Sequence, residues 1–86
     1  MPRYLIERTF AEEVGLNKDA TDGINRINDE EGVAWIISFL SADKRKTYCL
    51  YEAPNPEAIR AAARRNKIPA DVIIEIGGEL SPTMFG

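Results

Sequence analysis

Between Val33 and Leu40 the chain reads Val-Ala-Trp-Ile-Ile-Ser-Phe-Leu, with one polar side chain in the run. Its β-branched and aromatic content marks it as a strand. Successive strand residues point to opposite faces. Val33, Trp35, Ile37 and Phe39 therefore share one side, and Ala34, Ile36, Ser38 and Leu40 the other. An antiparallel sheet with one solvated face alternates apolar and polar residues, and this segment does not. It belongs in a sheet covered on both sides.

The remaining elements have to supply that cover from 86 residues. Tyr4 to Phe10 is a short strand with aromatic ends. Asn17 or Asp19 caps a helix that carries Ala20, Ile24 and Ile27 on one face. Gly23 weakens it, Asp29-Glu30-Glu31 oppose the dipole at its end, and Gly32 stops it. Ser41 to Lys46 is a polar break, after which Thr47 to Ala53 resumes as strand and completes a hairpin. Asn55-Pro56-Glu57 is a helix start with cap, N1 proline and first-turn acid. Ala58, Ile59, Ala62 and Ala63 form its apolar stripe, with Arg64 and Arg65 near the favourable end. Val72 to Ile76 is a β-branched strand stopped by Gly77-Gly78, and Glu79 to Gly86 reads as a tail.

The order strand, helix, strand, strand, helix, strand predicts a single α+β domain over 1–86. Its fold is ferredoxin-like βαββαβ, a four-stranded antiparallel sheet with two helices on one face. Two helices cover one face only. The other face would leave an apolar patch larger than monomers usually expose. A second copy laid sheet to sheet, as in a dimeric α/β-barrel, covers it. A hairpin loop of even length would put Trp35, Ile37 and Phe39 on the same face as Tyr48, Leu50 and Glu52, and that face is the predicted homodimer interface.

Composition narrows the chemistry. Histidine is absent and cysteine occurs once, at Cys49. The commonest neutral-pH base and metal ligand is thus missing. A net charge of −3 argues against a nucleic-acid partner. No apolar run approaches the ~20 residues of a bilayer span, which predicts no membrane partner. A lone cysteine and the absence of a leader-like start predict a cytoplasmic protein. No glycine-rich phosphate loop, zinc spacing or nucleophile motif occurs.

The candidate ligand-binding residues are Glu7, Trp35, Tyr48 and Glu52. Glu7 and Arg8 stand mid-strand, so one of them enters an apolar layer, where a carboxylate needs a partner. Glu52 ends a strand on the face assigned to Trp35, as a base, an oxygen ligand or a solvated strand end. Trp35 and Tyr48 would wall a pocket, although such aromatics serve more often as core. Binding of a small molecule or metal ion between two sheets is the leading reading, with no catalytic residue assigned. The alternative is a cofactor-free enzyme, monooxygenase or isomerase-like, in which a pocket carboxylate is the base.

Three segments carry a family resemblance: Pro2-Arg3-Tyr4-Leu5-Ile6-Glu7-Arg8-Thr9-Phe10, the run from Ser41 to Pro54, and Asn55-Pro56-Glu57-Ala58-Ile59-Arg60. Together they resemble the domain of unknown function 4242 family, small nickel-binding protein-like chains. The resemblance implies a ferredoxin-like subunit that dimerises sheet to sheet, and nickel as the metal. Many relatives place a histidine where this chain has Ile37, which cannot ligate. Glu7 and Glu52 are then left as hard oxygen donors, suited to magnesium, manganese or calcium rather than nickel.

Overall fold

The computed structural model describes residues 1–84; Phe85 and Gly86, the end of the predicted tail, lie outside the described residues. The elements run β1 (Arg3–Thr9), α1 (Lys18–Glu30), β2 (Ala34–Leu40), β3 (Lys46–Glu52), α2 (Pro56–Asn66) and β4 (Val72–Ile76). Pro82–Met84 forms a short 3₁₀ turn within the predicted tail. The sheet order is β2-β3-β1-β4, every pairing antiparallel. This is the ferredoxin-like fold expected from the element order.

Both helix starts obey their local signals. The side-chain oxygen of Asn17 accepts from the Ala20 N–H at 2.8 Å, and that of Asn55 accepts from the Ala58 N–H at 2.9 Å. Each fills one of the donors a helix N-terminus leaves open. Gly32, at φ 75, turns the chain out of α1, a conformation that costs a non-glycine residue about 1–2 kcal/mol. α2 ends on Lys67 at φ 58, where the Lys67 N–H reaches back to the carbonyls of Ala63 and Arg64. The acidic end of α1 has a partner that lies far off in sequence. Arg65 of α2 binds Glu30 at 3.0 Å and Glu31 at 3.1 Å, so charges unfavourable to one helix tie it to the other.

β1 sits between β3 and β4 and alternates strictly. Tyr4, Ile6 and Arg8 are buried beneath the helices, while Arg3, Leu5, Glu7 and Thr9 turn the other way. β3 matches it, with Thr47, Cys49 and Tyr51 buried. The α2 residues Ile59, Ala62 and Ala63 close over this layer, with Val33 and Ala53. The predicted stripe of α2 is the buried stripe.

One part of the predicted face assignment is overturned. Phe39 pairs with Tyr48 and Ile37 with Leu50, as the even-loop hairpin requires. Then β2 shifts register between Ile37 and Trp35, so that Trp35 pairs with Tyr51 and Ala34 with Glu52. A bulge places an extra residue in one strand, here Ile36, and a one-residue slip turns the residues beyond it to the opposite face. Trp35 consequently lies under the helices, stacked on Tyr51 with ring centroids 6.5 Å apart. Its Nε1–H donates to Ser38 Oγ at 2.8 Å.

Replacing Asn55 with alanine removes the cap of α2 and should cost about 1 kcal/mol. In a domain of this size that is a fall in Tm of roughly 4–8 °C. Asn55→Gly should cost a few tenths, and thermal melts monitored by circular dichroism distinguish the two.

Candidate functional site

The face of the sheet turned away from the helices is apolar across its width. Ile37 and Phe39 come from β2, Tyr48 and Leu50 from β3, Leu5 from β1, and Val72 and Ile74 from β4. Ile37, Phe39 and Ile74 are 47%, 61% and 51% exposed, so side chains that prefer burial stand in solvent. Scattered apolar residues are ordinary on a surface, but a contiguous patch marks an interaction face.

Glu7 and Glu52 lie on this open face, and both are engaged. Glu7 is ion-paired with Lys46, which also stands 5.6 Å from the Tyr48 ring centre. The hydrogen bond it donates to Glu7, foremost among the causes, holds the Lys46 ammonium above the usual lysine range. Glu52 binds Arg3 Nε at 3.3 Å, and the same guanidinium reaches Glu79 at 3.2 Å. Glu7 faces Tyr48 across the strand pair and Glu52 faces Arg3, so the two acids occupy different ends of the face. The open face thus brings together Glu7, Tyr48 and Glu52 as one surface, but not Trp35. That fourth predicted site residue belongs to the opposite layer because of the bulge.

Of Glu7 and Arg8, it is Arg8 that enters the apolar layer. Its Nη1–H donates to the Pro69 carbonyl at 2.6 Å, and its guanidinium lies 5.6 Å from the Tyr51 ring centre. No carboxylate pairs with it among the described residues, where Arg3, Lys18, Lys46, Arg60 and Arg65 make the ion pairs. Beside it lies a cavity of about 90 Å³ between the sheet and the segment leading into α1. Phe10, Val14, Leu16 and Ile24 form its apolar wall, and Trp35, Cys49 and Tyr51 part of its floor. The loop residues of that wall carry no periodic signal, and sequence reasoning missed them.

A proton-abstracting carboxylate would need such an enclosed place, and no Asp or Glu lines this cavity among the described residues. The donor set for nickel does not fit either. Histidine is absent, and Cys49 is buried on the helix side. No three His, Cys, Asp or Glu side chains gather into a metal-holding group among the described residues. No helix there is long and apolar enough to cross a membrane.

The fold and its surfaces define a small ferredoxin-like α+β protein with one open sheet face. Residues 4–76 match the model of the family described as nickel responsive protein SCO4226-like, and the chain belongs to that family. The match agrees with the nickel-related part of the resemblance read from the sequence, while the 4242 label is not confirmed by it. Among solved structures the chain is similar to SCO4226 from Streptomyces coelicolor A3(2), with a TM-score of 0.74 and 21% identity. That alignment covers 91% of this chain and 99% of the other. No curated protein matches the chain.

Burial, the largest influence, raises the Tyr51 phenol above the usual tyrosine range against the opposing charge of Arg8. A raised value favours the neutral form in the fold. Its contribution to stability is complete below the unfolded value of about 10 and is lost as pH rises through the folded one. Tm should therefore fall as pH climbs above about 10, and Tyr51→Phe should make that fall shallower in melts across the alkaline range. Tyr4 and Lys46 are also raised, so part of the slope should persist.

Proposed function

We propose that the chain works as a homodimer, two sheets packed through their open faces in the manner of a dimeric α/β-barrel, and takes up a small ligand or metal ion between them. The open face carries this reading. Its apolar side chains come from all four strands, and a single copy leaves them in water. A second copy suits the charges as well as the apolar area. Each end of the face holds its own ion pair, Lys46 with Glu7 and Arg3 with Glu52, so no like-charge surface has to be buried against another. Isologous dimers are the usual form of such pairing.

Membership of a family described as nickel responsive supports metal binding as the ligand chemistry. The oxygen donors on this face are Glu7, opposite Tyr48, and Glu52, at the other end opposite Arg3. A cation entering there displaces Lys46 or Arg3 from its carboxylate, and carboxylate oxygens suit magnesium, manganese or calcium better than nickel. The unbridged Cys49 thiol accords with a reducing, cytoplasmic setting.

Light scattering should give twice the 9.6 kDa chain mass at micromolar concentration. Ile37→Asp, which puts a charge into the centre of the patch, should give monomer or aggregate. A well-folded wild-type monomer overturns the dimer. Calorimetry should show saturable manganese binding that Glu52→Gln weakens, with nickel bound no more tightly. Stoichiometric, submicromolar nickel binding would contradict the oxygen-donor reading.

A further inference from the structure

Arg8 is a cation placed where cations are costly. It stands next to the end of β1, one of the two inner strands, and is 3% exposed. Buried charges are normally paired. Here its neighbours are the Pro69 carbonyl and Tyr51, through both its ring and its hydroxyl oxygen, and no acid pairs with it among the described residues. Tyr51 does not act as a hidden counterion, because its phenol is held neutral. The same layer holds a second donor without an acceptor among the described residues, the buried Nδ2 of Asn28.

The space beside Arg8 has the matching shape. Arg8 is the one charged residue lining the cavity of about 90 Å³ among the described residues, and the wall opposite is aliphatic and aromatic. That volume is roughly that of three waters at ~30 Å³ each, room for a carboxylate head and a short hydrocarbon stub. Leu16, Ile24 and Ile68 line this cavity and also the wider groove between α1 and α2, which adds Ala20, Gly23 and Ile27 on its apolar side and Arg26, Arg65 and Asn66 at its rim. Leu16 is 53% exposed, an apolar lip where cavity and groove meet. A cation at one end and an apolar path past Leu16 and Ile24 at the other describe one class of molecule.

We infer that the helix side of this protein binds an aliphatic monocarboxylate, its head on the Arg8 guanidinium and its chain running past Leu16 and Ile24 into the groove between the helices. The guanidinium fork is matched to a carboxylate. The floor of the site includes Trp35, brought there by the bulge in β2, so occupancy has a built-in reporter. This site lies on the face opposite the proposed dimer interface and stands whether or not that interface forms.

The test is a titration of the full chain with butanoate, hexanoate and octanoate, monitored by emission of its single tryptophan and by calorimetry. Saturable binding is expected, tightening about fourfold for each CH₂ added, with inorganic phosphate and chloride far weaker. Arg8→Met should lose at least tenfold in octanoate affinity while leaving 1-octanol binding within about twofold, since charge pairing is lost and apolar contact is kept. Val14→Trp, which fills the cavity with Arg8 intact, should abolish both, and it decides the matter if Arg8→Met does not fold. No saturable binding of any chain length to folded wild type overturns the inference. So does octanoate affinity unchanged in Arg8→Met or in Val14→Trp, or phosphate bound as tightly as octanoate.

Discussion

The pairing of β1 with β3 governs the rest of the molecule. Seven residues on each strand face each other without interruption, from Arg3 opposite Glu52 to Thr9 opposite Lys46. Because side chains alternate with period two, this one register decides that Tyr4, Ile6 and Arg8 share a layer with Cys49 and Tyr51. It equally decides that Leu5 and Glu7 share the other with Tyr48 and Leu50. A slip by one residue would exchange the two sets, sending Arg8 into the open face and Glu7 beneath the helices. α2 can seat Ile59, Ala62 and Ala63 only against the layer this register creates.

β2 departs from that regularity, and the departure separates two kinds of surface. Near the hairpin it keeps the register of β3, so Ile37 and Phe39 extend the open apolar face. Beyond Ile36 it is shifted, and the large indole of Trp35 is removed from that face and laid on Tyr51. Without the bulge, Trp35 would stand opposite Glu52 and the cavity beside Arg8 would lose part of its floor. A bulge therefore moves the indole from the sheet-side patch to the floor of the helix-side pocket in one step.

Much of this could be read from the residues because it is local. Asn17, Asn55, Pro56 and Gly32 act on backbone within a few positions, and the apolar stripe of α2 needs only the helical period. Faces within the hairpin near Phe39 and Tyr48 came from loop parity alone. What escaped depends on groups distant in sequence. Nothing in Val-Ala-Trp-Ile-Ile-Ser-Phe-Leu distinguishes Ile36 from Ile37 as the extra residue, since the choice is made by Trp35 packing on Tyr51. Glu30 and Glu31 look misplaced until Arg65 is set beside them. Glu7 and Glu52 looked like candidates for a free pocket acid, yet Lys46 and Arg3 are their partners through cross-strand placement.

The two faces of the sheet handle charge in opposite ways, and the difference bears on what each can bind. On the open face Glu7 and Glu52 each have a cation next to them, in half-exposed pairs that water already screens. Such pairs contribute little stability and are readily exchanged. A partner or cation that offers a better match can replace Lys46 or Arg3 there at small cost. On the helix side, Arg8 is buried and held by the Pro69 carbonyl and the Tyr51 ring. An anion arriving there displaces no carboxylate and meets a donor whose desolvation was already incurred on folding. The same guanidinium, placed among the exposed pairs of the open face, would have to be won from an existing partner. Burial with no carboxylate partner among the described residues is thus a cost of folding and a source of selectivity for an anion with an apolar tail.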